Sequence, residues 1–100
     1  MPANDDSLKN PVLNKPLVMV VEADSDSRQF LRLFFEKKGF WAMEICEPKQ
    51  MLQLWKMVIP DLIVMDVSLH NIDDVLRRKI QDMAEDKDIP IIVTTTKYER

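Results

Sequence analysis

An α/β fold built on a doubly wound parallel sheet is the class this sequence predicts, on two observations. Three short apolar runs each end on an oxygen-bearing residue: Leu17-Val18-Met19-Val20-Val21 at Glu22, Leu62-Ile63-Val64-Met65 at Asp66, and Ile91-Ile92-Val93 at Thr94-Thr95-Thr96. Continuous apolar runs of this length fit strands buried on both faces, and such strands are mostly parallel. Segments of helical period separate them and give the order β-α-β-α-β-α-β, which right-handed crossovers turn into a sheet with helices on both faces. In such a sheet ligands bind at the carboxyl ends of the strands near a switch in strand order, where Glu22, Asp66 and Thr95 fall.

Taken in order, residues 1–16 are rich in Asn, Asp, Pro and Ser and read as a flexible lead-in to one domain at residues 17–100. The first strand starts at about Leu17. Asp24-Ser25-Asp26-Ser27 offers N-caps for a helix over Arg28 to Lys38, in which Phe30, Leu33 and Phe34 share a face that Leu31 and Phe35 widen. Gly39, the only glycine, stands where that helix needs a C-cap. Phe40 to Ile45 is a second strand, and Pro48 opens a helix with Met51, Leu54, Trp55 and Val58 on one side. Pro60-Asp61 leads into the next strand, and after the polar stretch from Val67 to Asp74 a third helix carries Leu76, Ile80 and Met83. Ala84 to Asp88 returns the chain to a last strand beginning at Pro90.

Composition bounds the function classes. At 100 residues the chain supports one domain, and 14 Lys plus Arg against 17 Asp plus Glu argue against a nucleic-acid-binding stripe. No apolar stretch is long enough to span a bilayer and no basic-then-apolar leader is present, so a cytoplasmic protein without membrane contact is expected. Cys46, the only cysteine, forms no internal disulfide or zinc set and reads as a small buried hydrophobe. Trp55 and the methionines at helical spacing read as core filling, His70 as an exposed loop residue, and Glu85-Asp86-Lys87-Asp88 as a solvated connection.

Four patterns from Leu17 to about Tyr98 resemble the receiver domain of bacterial two-component response regulators. They are Val20-Val21-Glu22-Ala23-Asp24 followed by Arg28; Lys38-Gly39-Phe40; Pro60-Asp61-Leu62-Ile63-Val64-Met65-Asp66; and Ile89-Pro90-Ile91-Ile92-Val93-Thr94-Thr95. The resemblance implies a flavodoxin-like fold with strand order 2-1-3-4-5, in which strands one and three lie side by side. It implies that Asp66 is a phosphoacceptor served by a histidine kinase or phosphotransfer protein. It also implies that Glu22, Asp66 and the Ser68 carbonyl hold Mg2+, and that Thr95 is the switch hydroxyl, with Thr94 and Thr96 as neighbouring alternatives. The protein is then no enzyme beyond self-phosphotransfer and autodephosphorylation.

The sequence also departs from that family. Ala23 stands where a second acid is usual, and Asp24 fits an N-cap better than a replacement ligand. Leu69-His70 and Asp73-Asp74 replace the usual Met-Pro and Asp-Gly, so the loop is expected to be remodelled. The chain stops at Arg100, without the last strand, its lysine and two helices. An open edge on the last strand and an uncovered part of the first helix are therefore expected, in a fragment or in a chain completed by a partner or by homo-oligomers. Two functions stay open: a phosphorylatable receiver, favoured by Asp66, Glu22 and the threonines, and a pseudo-receiver binding partners without phosphate, favoured by Ala23 and the absent lysine. A domain for another anion or nucleotide is weaker, since no glycine-rich loop is present.

Overall fold

The computed structural model describes residues 14–66 and 74–94. Its elements are β1 (Leu17–Val21), α1 (Ser25–Lys37), β2 (Trp41–Ile45), α2 (Pro48–Trp55), β3 (Leu62–Asp66), α3 (Asp74–Asp86) and β4 (Ile91–Thr94). All pairings are parallel and the strand order is β2-β1-β3-β4, so the chain runs outward from β1 to β2 and then back past it to β3 and β4. The switch point lies between β1 and β3, as the resemblance implies.

Alternation along the strands divides the core. Met19, Val21, Ile63 and Met65 point to one face and pack with Met51 and Trp55 of α2 and Ile80 and Ala84 of α3. Val18, Val20 and Val64 point to the other, under Leu31 and Phe35 of α1 and Phe40. Every residue of β1 is buried, which is why that run carries no polar alternation.

Local signals set the helix ends. Asp24 caps α1 by accepting the Ser27 N–H at 2.8 Å. At the other end Gly39, at φ 97°, lets its own N–H reach the Glu36 carbonyl and the Phe40 N–H reach the Phe35 carbonyl, a Schellman closure. Asp88, at φ 58°, does the same for α3 without glycine, with the Ile89 N–H on the Ala84 carbonyl at 2.8 Å. Pro48 begins α2, and Gln50 Oε1 turns back to accept from the Cys46 and Glu47 N–H groups.

Several expectations are corrected. Helix α1 starts at Ser25 rather than Arg28, because the Asp24 cap initiates it ahead of the apolar residues. The expected core face of α1 lies outside: Phe30, Leu33 and Phe34 are 67%, 45% and 44% exposed, while Leu31 and Phe35, four residues apart, do the packing. Among the described residues α1 packs chiefly on β1 and β2, and Ile92 of β4 is exposed as well. Helix α3 continues through Ala84, a buried core residue, to Asp86, and α2 ends at Trp55, before Val58. Cys46 is exposed rather than buried, since it follows β2 and enters the α2 cap, and Met57 is exposed as well.

Candidate functional site: an acid pair at the switch point

Parallel pairing brings the carboxyl ends of β1 and β3 level. Val21 is in register with Met65, so the next residues, Glu22 and Asp66, sit side by side. Asp66 is in register with Thr94 on its other side. Both acids are buried, at 2% and 3% exposure. Glu22 remains in the sheet through its N–H, which donates to the Ile45 carbonyl at 2.9 Å. Its Oε2 accepts the Asp24 N–H at 3.0 Å, whereas its Oε1 is buried without a hydrogen-bond partner.

Two carboxyls this close oppose each other's ionisation. Burial is the main cause that holds the Glu22 carboxyl above its ordinary value, and the Asp24 N–H works against it. The Asp66 charge and a carboxyl–carboxyl hydrogen bond with Asp66 raise it further. Asp24 shifts the other way, lowered by the Ser27 hydrogen bonds of the helix cap. Asp24 is thus engaged as the α1 cap, as expected, and the Ala23 side chain carries no oxygen.

A cleft of about 350 Å3 opens beside the pair, lined by Glu22, Asp26, Ser27, Phe30, Leu31 and Thr94. Its walls thus include both lateral neighbours of Asp66. Thr94 is the hydroxyl that the register sets beside Asp66; among the described residues its Oγ1 makes a long 3.5 Å contact with the Met65 carbonyl. Thr95 and Ser68, predicted from the sequence as switch hydroxyl and carbonyl ligand, lie outside the described residues, as does His70.

The acid pair fits a hard divalent cation. The orphaned Glu22 Oε1 and the second buried carboxylate supply negative oxygen donors at one point, and Mg2+ is usually held by one or two carboxylates with waters completing the shell. Among the described residues no group of three or more His, Cys, Asp or Glu side chains converges on one point.

The family model for the response regulator receiver domain matches residues 18–100. The chain belongs to this family. Among solved structures, the receiver chain is similar to the signal receiver domain of a signal transduction histidine kinase from Syntrophus aciditrophicus, at 21% identity and a TM-score of 0.70. That match covers 84% of this chain and 64% of the other, so the chain spans under two thirds of that relative's length. The receiver domain of a Francisella response regulator, 1452, matches at 25% identity and TM-score 0.67, covering 84% and 69%. A response regulator receiver protein from Pseudomonas putida matches at 22% and 0.69, covering 85% and 71%. Among curated proteins none matches the chain. No helix among the described residues is long and apolar enough to cross a membrane.

The sequence missed one part of the site, the arginine that fastens it. Arg28 of α1 donates from Nη1 to the Glu22 carbonyl at 2.8 Å and from Nε to Glu44 of β2 at 3.1 Å. The only sequence signal was its place in the resemblance, following Glu22-Ala23-Asp24.

Proposed function

We propose that this receiver domain accepts a phosphoryl group on Asp66 from a histidine kinase or phosphotransfer protein and thereby switches a protein-binding surface. The observation that carries this reading is the buried Glu22 and Asp66 pair at the switch point, with one Glu22 oxygen lacking a partner. In the transfer, an Asp66 carboxylate oxygen attacks phosphorus, the P–N bond to the donor histidine breaks, and an acyl phosphate forms on the aspartate. A divalent cation held by Glu22 and Asp66, with the Ser68 carbonyl as further ligand, would offset the charge on the phosphoryl oxygens. Thr95, or Thr94 beside it, is the hydroxyl to follow the new group. Added negative charge at the strand ends would then bias loops and helix surfaces between two arrangements.

In this reading the unit starts at Leu17 and the domain is a bacterial, cytoplasmic signalling phosphoprotein; of the lead-in expected at residues 1–16, residues 1–13 lie outside the described residues. Its enzymatic capacity is limited to self-phosphotransfer and autodephosphorylation. The bare flank of α1 and the β4 edge, where Ile92 and Val93 are 45% and 58% exposed, support homo-oligomers through the open side of the sheet. Neither nucleic acid nor membrane is a partner.

A second reading is favoured by Ala23: with no carboxylate there, cation affinity is weakened and the domain serves as a phosphate-independent binding module. Incubation with a labelled small-molecule phosphodonor and Mg2+ separates the two. Label retained by the wild type and absent from Asp66→Asn supports the phosphorelay; folded wild type that takes up none supports the binding module.

A further inference from the structure

We infer that Arg28 is the positioning residue of the acid pair, clamping the backbone that carries Glu22 from outside the sheet. This deepens the reading of Glu22 and Asp66 as a cation-holding pair and rests on it. The Arg28 backbone is ordinary helix, its N–H on the Asp24 carbonyl at 2.9 Å, but its side chain doubles back to the end of β1. There Nη1 donates to the Glu22 carbonyl at 2.8 Å and lies 3.3 Å from the Ala23 carbonyl.

The guanidinium is itself fixed from the other side. Glu44 of β2 takes Arg28 Nε on one oxygen and Arg32 Nε on the other, and Arg32 also bridges Glu36 one helical turn on. The Arg28 side chain is 18% exposed, so the fork is partly shielded from water. Residue 22 is thus held at three points: its N–H by β2, its carbonyl by Arg28, and its side chain by the Asp24 N–H. Of these only the Arg28 contact also reaches Ala23, where no side chain anchors the loop. A planar group with five donors can span two carbonyls and a carboxylate together. A lysine ammonium, a point donor, reaches fewer of them at once.

Arg28 touches neither phosphoryl donor nor cation in this scheme; it acts through the orientation of Glu22. Amide hydrogen exchange at Asp24, whose N–H bonds to Glu22 Oε2, reads that orientation directly, and titration with Mg2+ alone reads its consequence. In Arg28→Gln, Asp24 exchange is expected to rise about tenfold relative to the Leu31 and Phe35 amides, with Mg2+ affinity falling about tenfold. Arg28→Lys should restore part of both, and Glu44→Gln should show a smaller change of the same sign. The inference is overturned if Asp24 exchange is unchanged in Arg28→Gln, or if it rises only in step with the rest of α1, which would make Arg28 a general helix anchor. Should the wild type bind no Mg2+, the cation-site reading fails on its own, and the exchange comparison still decides whether Arg28 holds Glu22.

Discussion

Replacing Glu22 by Gln should stabilise the cation-free protein, against the usual expectation for a substitution at a buried polar site. Glu22 is 2% exposed, has one oxygen without a partner and lies against a second buried acid. Two like charges about 4 Å apart repel by about 4 kcal/mol at an effective dielectric of about 20, and proton sharing by the wild-type pair removes part of that. The Gln amide can instead donate to Asp66, and hydrogen bonds to charged groups contribute about 1.5–3 kcal/mol. A net gain of about 2 kcal/mol at pH 7 follows, or roughly 8–16 °C in melting temperature for a domain of this size. The pH dependence has a fixed sign. Because the folded Glu22 titrates above its ordinary value of 4.5, the native state binds more protons than the unfolded one in that window, and wild-type stability falls as pH rises through it. The advantage of Gln is therefore complete above the folded value and vanishes below about 4.5. Mg2+ should reverse the order, since at one hundred times its dissociation constant a ligand adds about 2.7 kcal/mol to a protein that binds it. Urea unfolding of both proteins at pH 7 and pH 4, with Mg2+ and with chelator, measures all of this. Equal stability at pH 7 in chelator, or a gain that persists unchanged at pH 4, would refute the reasoning.

Three further outcomes are expected. Asp24→Ala removes the α1 cap and should lower thermal stability at neutral pH; since the Asp24 carboxyl is held below its ordinary 3.8, the difference should disappear as pH falls below that range. Gly39→Ala should cost about 1 kcal/mol by denaturant titration, because φ 97° strains any side chain although nothing lies within 4 Å of the added methyl. Val93→Lys should leave the fold intact and shift light-scattering mass toward the monomer; an unchanged mass distribution would remove β4 as an association edge.

The sequence announced the fold wherever one physical demand dominated. β1 and β3 were legible because burial on both faces leaves only apolar residues, and Gly39 because its positive φ excludes most alternatives. The ends of α1 and α3 were less so. Ser25 to Ser27 carry no apolar period, and Glu85 and Asp86 look like loop although neighbouring Ala84 packs into the core. The packed face of α1 was misread since its apolar residues cover more than one face and only tertiary contact with β1 and β2 chooses among them.

Within the site, Glu22 and Asp66 were legible as strand ends, and parallel register made them neighbours. That Thr94 shares a rung with Asp66 required the β3–β4 register, which the threonine triplet left open. The Arg28 fork could not be read beforehand: it joins Glu22, Ala23 and Glu44 across three elements, the last 16 residues away, and no periodicity encodes such a contact.

The most direct measurement of the central claim is intact mass after incubation with a small phosphodonor, for wild type and Asp66→Asn, each in Mg2+ and in chelator. The account predicts a single phosphoryl adduct on wild type in Mg2+ alone. An adduct that persists in Asp66→Asn, or that forms equally in chelator, would contradict it.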